Sequence, residues 1–173
     1  MKKIIALLAA LGMFSLQTVA LPISQTAAPT PQTNNAEIGV QMQNTLNVLT
    51  QATTNFILNF QQGSWNETEA QIAELIMSQE TADELTAINQ AILEQYNEES
   101  EASEESAEDF WAAQVEKGKF LLEKLKASPN IVEITRLLLS NQTSYKMEEL
   151  NMDYALIFTE VWLVGLYDNS VEE

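Results

Sequence analysis

Histidine and cysteine are both absent from the 173 residues of this chain. Their absence excludes the Ser-His-Asp and Cys-His arrangements of nucleophilic catalysis and the usual zinc sites. The five glycines are scattered along the chain, so there is no glycine-rich loop of the kind that cradles phosphates. The sequence therefore predicts a protein that is not an enzyme of these classes, with no cofactor and no metal site.

Basic residues are also absent from a long continuous stretch, because no Lys or Arg occurs between Ile4 and Glu116. Residues 21–116 carry 16 acids and no base, whereas residues 117–173 carry nine acids and six bases. Phosphate backbones bind basic surfaces, so nucleic acid is not an expected partner. A cationic protein would be attracted to such a chain. The alternative is that the charge only keeps the protein soluble and monomeric.

The N-terminus has the three parts of a secretory signal peptide. Lys2 and Lys3 precede an apolar stretch over 4–16, and a small-x-small ending follows at Ala20. The apolar stretch is short for a membrane span, which needs about 20 apolar residues. We expect cleavage between Ala20 and Leu21 and a bacterial periplasmic or secreted protein. A retained N-terminal anchor is the alternative.

The remainder divides into a leader and one domain. Residues 21–36 contain three prolines among Ser, Thr, Gln, Asn and Ala, which predicts a disordered leader. Residues 37–173 show apolar side chains at three- and four-residue steps and no strand pattern, which predicts a single-domain, all-α bundle of five to six helices. The last helix, over about 146–167, is apolar nearly all round, so we expect it at the centre with no membrane span in the mature chain.

Helix starts can be placed from their capping residues. Ser64 with Glu67, and Thr81 with Glu84, have the spacing of a capping box. Ser128 precedes a proline, as expected of an N-cap followed by the first helical residue. Among the aromatic residues, Trp65 is expected to pack the second helix onto the first and Trp162 to lie in the core.

The segment EESEASEESAED, over 98–109, has seven carboxylates in twelve residues. Its second half reads as the start of the fourth helix, where carboxylates favourably oppose the helix dipole. Its first half, over 98–103, reads as a connection, and there the charges are not explained by a helix start. The alternative to a functional role is a helix start and a solvated loop. If the segment binds a partner, the predicted contact residues are Glu98, Glu99, Glu101, Glu104 and Glu105, with Trp111 as an apolar anchor.

These patterns lead to a hypothesis and two rivals. The hypothesis is an exported, non-catalytic helical interaction protein, resembling an inhibitor or a chaperone in its role, that docks a cationic protein. One rival is a structural or stress-related envelope protein. The other is a carboxylate-dependent enzyme that cleaves peptidoglycan, with Glu160 as the candidate acid. The favoured interpretation of Glu160 is instead a residue that reaches water from a helix edge. The sequence does not indicate an oligomeric state.

Overall fold

The computed structural model describes residues 32–99, 107–142 and 145–168, without the side chains of 32–34, 96–99 and 107–111. Within these ranges six α-helices and no strands are present, so the all-α bundle is confirmed. The helices are α1 (Gln32–Gln62), α2 (Glu67–Met77), α3 (Gln79–Glu99), α4 (Ala107–Lys126), α5 (Pro129–Ser140) and α6 (Met152–Asp168), with a 3-10 turn at Met147–Glu149. The first helix begins at Gln32, before the expected boundary at Glu37. The expected cleavage site, Ala20 and Leu21, lies outside the described residues.

The helix at the centre of the bundle is α5. It contacts all five other helices, although it is only 12 residues long. Its buried side chains are Ile131, Ile134, Thr135, Leu137, Leu138 and Leu139. The expectation that the last helix is central is therefore wrong. The outer side of α6 faces solvent, and Val161 is 62% exposed there.

The helices α1 and α6 run parallel to one another. Midway along α1 and just before α6 begins, the hydroxyl of Thr45 accepts a hydrogen bond from the backbone N–H of Asn151, at 2.7 Å. Eleven residues further along each helix, Phe56 meets Trp162 edge to face at 5.8 Å. Trp162 is partly buried against the core, as predicted. A 2.9 Å ion pair between Lys126 and Asp153 joins the end of α4 to the start of α6.

The junction between α1 and α2 differs from the expected capping box. Gly63 has a positive φ of 68° just after α1 ends, a conformation that glycine adopts without strain. The chain then needs three more residues to turn, so the N-cap is Asn66 and its capping-box partner is Glu69. The carboxylate of Glu69 is nearly inaccessible to solvent and also accepts a 2.8 Å hydrogen bond from the Asn59 side chain. The prediction of Ser64 with Glu67 is wrong by two residues.

The second predicted capping box, Thr81 with Glu84, is also absent. The hydroxyl of Thr81 donates to the Leu75 carbonyl at the end of α2. The carboxylate of Glu84 instead reaches α5, where it accepts hydrogen bonds from the backbone N–H groups of Asn130 and Ile131 at 3.0–3.1 Å. The Ser128 side chain, in the N-cap position of α5, does not cap it. Glu84 therefore stabilises the start of a different helix from the one on which it lies.

Replacing Glu84 by alanine should destabilise the bundle, because the first free amides of α5 would lose their acceptor. We expect a loss of about 1–2 kcal/mol in the free energy of unfolding, the range of N-cap deletions. Urea unfolding followed by circular dichroism measures it. Glu94→Ala is the matched control, since it removes an exposed glutamate from the same helix. Equal stability of the two variants would contradict the capping role.

Candidate functional site

The acidic segment is placed differently from the expectation. Glu98 and Glu99 are the last two residues of α3 and do not belong to a connection. Glu101, Glu104 and Glu105 lie outside the described residues. Trp111 belongs to the second turn of α4, and its side chain is outside the description. The structure shows that the acidic segment begins at the C-terminal end of α3.

That helix end is electrostatically unfavourable for carboxylates. The C-terminus of a helix carries a partial negative charge, so each exposed acid in its last turn costs about 0.3–1 kcal/mol. Glu98 and Glu99 occupy the last turn of α3. The start of a helix therefore explains Glu108 and Asp109, in the first turn of α4, but it does not explain Glu98 and Glu99.

A line of acids runs along one side of α3. At 100° per residue, Glu80, Asp83, Glu94 and Glu98 fall within about 60° of one another around the helix axis. The side chains of Glu80, Asp83 and Glu94 are exposed. The line spans 18 residues, or about 27 Å. We refer to these four residues as the acidic stripe.

The members of the stripe whose side chains are described have no cationic partner among the described residues. The ion pairs there join Glu116 to Lys119, Lys126 to Asp153 and Glu133 to Arg136, all of them on α4, α5 and α6. The two acids of α2 and α3 with clear structural roles are Glu69 and Glu84, each of which accepts backbone amides. The described members of the stripe, Glu80, Asp83 and Glu94, are therefore solvated charges of one sign.

An open groove of about 770 Å³ lies between α2 and α5, at the end of the stripe marked by Glu80. Glu74 and Glu80 line it, together with Glu133 and Arg136. The Arg136 guanidinium donates two hydrogen bonds to the Glu133 carboxylate. These bonds hold the pKa of Glu133 below its usual value. Since Glu133 already neutralises the arginine, the groove retains the unpaired charges of Glu74 and Glu80 and suits a cationic side chain.

The beginning of the stripe lies near the end of α4. Glu84 of α3 bonds Asn130 and Ile131, which follow α4 within five residues, so the beginning of α3 lies beside the end of α4. The two helices also contact each other.

Trp65 lies just before α2, where it is 43% exposed. Its ring meets Phe60 of α1 edge to face at 4.8 Å. The predicted contact between Trp65 and the first helix is therefore confirmed, and this tryptophan is anchored to the fold.

The candidate catalytic acid, Glu160, is only 8% exposed on α6. The interpretation that it faces water from a helix edge is therefore wrong. Burial raises the pKa of its carboxyl group. Glu160 lines neither the α2–α5 groove nor a second groove beside α1. Its neutral form is favoured by its apolar surroundings, but neither groove brings a substrate to it.

The raised pKa makes the effect of Glu160 on stability depend on pH. The native carboxyl keeps its proton at pH values where the unfolded chain has lost it. Its full contribution to stability is thus present below the unfolded value of 4.5 and is lost as the pH rises through the native pKa. Glu160→Gln, which mimics the neutral acid, should be more stable than the parent at pH 7, with the difference shrinking below pH 4.5.

Urea unfolding at several pH values between 3.5 and 8 tests this expectation, with ~0.5 unit spacing through the acid range. Glu149→Gln is the control, because it removes one negative charge from an exposed position and reports the general relief of repulsion. A Glu160→Gln variant that gains no more than Glu149→Gln at pH 7 would contradict the desolvation of Glu160.

Within the described residues, no helix is both long and apolar enough to cross a membrane. No group of three acidic side chains among them is placed to hold a metal ion. No protein-family model, curated protein or solved structure matches this chain.

Proposed function

We propose that this chain is an exported, non-catalytic interaction protein that docks a cationic protein through the acidic stripe of α3. The observation that carries the proposal is the separation of charge. The described cations lie on α4, on α5 and beside the 3-10 turn, and Lys119, Lys126 and Arg136 are paired with acids of α4, α5 and α6. The exposed acids of α2 and α3 whose side chains are described have no cationic partner among the described residues, so their field is available to a positively charged surface.

The proposed surface has two parts with different roles. The groove between α2 and α5 offers the carboxylates of Glu74 and Glu80 to a lysine or arginine of the partner. Trp111 of α4 is the proposed aromatic anchor at the other end. Charges on the rim of an interface mainly raise the association rate, whereas a buried anchor mainly slows dissociation. The placement of Glu98 and Glu99 at a helix end that disfavours them supports a role beyond folding.

Neutralising the stripe should slow partner association. We expect the triple change Glu80→Gln, Glu94→Gln and Glu98→Gln to reduce the association rate about tenfold at low salt, with the dissociation rate little changed. The partner is first isolated by pull-down from the native envelope or secreted fraction at low salt. Biosensor kinetics with that partner, at low and moderate salt, then give both rates.

The matched control removes three exposed acids away from α3, by the changes Glu37→Gln, Glu148→Gln and Glu149→Gln. It alters net charge by the same amount, so only a local effect separates the two variants. Equal association rates for both, with unchanged helical circular dichroism, would refute docking at the stripe. That result would favour the rival in which the charge of an envelope protein only maintains solubility.

Replacing Trp111 by alanine tests the other end of the surface. If Trp111 is an anchor, its loss should accelerate dissociation by at least about tenfold while leaving the association rate nearly constant. Trp65→Ala is the control, since Trp65 is a partly exposed tryptophan that packs on α1. If dissociation is unchanged in the Trp111 variant, the anchor assignment is wrong, and the stripe alone carries the proposal.

A further inference from the structure

The outer face of α1 contrasts with the rest of this acidic protein. No charged residue occurs between Glu37 and Glu67, although the chain carries 25 acids and eight bases. Solvent-facing sides of helices ordinarily carry charges. On this face the exposed positions are amides, threonine and two large apolar side chains, Val40 and Leu58, which are 59% and 47% exposed. Ile38 and Met42 are also exposed, but they lie on the opposite side of the same helix. The core packing of α1 does not account for this face.

The residues of this face follow a heptad spacing. Alternating steps of four and three residues connect side chains along one line of the α1 surface, on the side opposite the fully buried Leu49. Its members are Val40, Asn44, Asn47, Gln51, Thr54 and Leu58. All of these except Asn44 are exposed. We call this line the α1 seam.

The spacing of the seam is symmetric about its own midpoint. When a second copy of the helix lies antiparallel, residue numbers that add up to 98 face each other. Val40 then meets Leu58, Asn44 meets Thr54, and Asn47 meets Gln51, each pair occurring twice. The two apolar positions thus pack on each other at both ends. The central amides, which carry donors and acceptors alike, can bond one another.

We infer that two copies of this chain associate through their α1 seams as an antiparallel, two-fold symmetric pair. The absence of charge on the α1 seam favours a second copy of this chain as the molecule that binds there. Two chains of net charge −17 repel each other, and a face that is free of charge over about 27 Å is where they can approach at least cost. An isologous interface needs a self-complementary surface, and the symmetric seam provides one.

The acids nearest to the seam are compatible with this pairing. Glu148 and Glu149 lie beside the first half of α1, where their backbone carbonyls accept hydrogen bonds from Gln41 and Asn44. In the antiparallel register they face the second half of the partner's α1, which is uncharged. A groove of about 470 Å³ along the seam, lined by Asn47, Gln51 and Tyr145 among others, leaves room for the partner's side chains.

The dimer should be weak and reversible, because one pair of helices is small beside the roughly 1,200–2,000 Å² of stable interfaces. Sedimentation equilibrium of the purified protein over a wide concentration range measures it. We expect a monomer–dimer equilibrium that tightens as salt screens the repulsion between the two acidic copies. A monomer at every concentration and salt level would overturn the inference.

Inserting charge at the centre of the seam should dissociate the pair. Asn47→Asp with Gln51→Glu changes shape very little but sets like charges against each other, and we expect the dissociation constant to rise at least about tenfold. The control is Asn89→Asp with Gln90→Glu, an exposed Asn and Gln on α3 that add the same charge to each chain. If both variants weaken the dimer equally, or if neither weakens it, the contact between the two copies lies away from the seam. The α1 seam would then bind a different partner.

Disulfide trapping tests the antiparallel register, since the chain has no cysteine of its own. A mixture of Val40→Cys and Leu58→Cys proteins should form the crosslinked heterodimer on mild oxidation. Val40→Cys alone should not crosslink, because its two copies would lie about 27 Å apart along the helix axis. Efficient crosslinking of Val40→Cys with itself would refute the antiparallel arrangement.

Discussion

The enclosure of α5 by the other five helices is the constraint on which the bundle depends. A helix surrounded in this way cannot leave the amides of its first turn to water, so the protein must supply an acceptor. Glu84 supplies it from α3, and Asn130 returns a contact from its side chain to Thr81 at 3.1 Å. One carboxylate thus joins α3 to the helix at the centre.

The acids of α2 and α3 fall into two groups. The carboxylates of Glu69 and Glu84 accept backbone amides, and their charges serve the fold. The exposed acids whose side chains are described have no comparable role among the described residues, and the end of α3 is an unfavourable place for the two acids that occupy it. A folded domain can tolerate such local costs where a surface serves another purpose. The docking surface proposed on α3 is such a surface.

The two sides of α1 show how one helix can serve two purposes. Leu49 and Phe56 belong to the core, and the hydroxyl of Thr45 holds the start of α6. The opposite side presents Val40 and Leu58 with amides between them. The acidic stripe and the seam lie on different helices, so a pair formed through α1 would leave both stripes exposed. Two stripes on one particle would increase the avidity for a partner with repeated basic sites.

The sequence by itself determined the helical class, the end of α1 at Gly63 and the charge separation, because periodicity, a glycine and residue identity are local properties. Tertiary structure decided which helix is central. The apolar composition of α6 favours α6 as the central helix. The central helix is nevertheless α5, because the other five helices pack around it. Tertiary structure also decided the roles of Glu84 and Glu160. A carboxylate three residues after Thr81 fits a local capping box, and only the approach of α5 redirects it. The desolvation of Glu160 likewise depends on the helices that pack around it, since spacing along one helix does not specify which neighbours cover it.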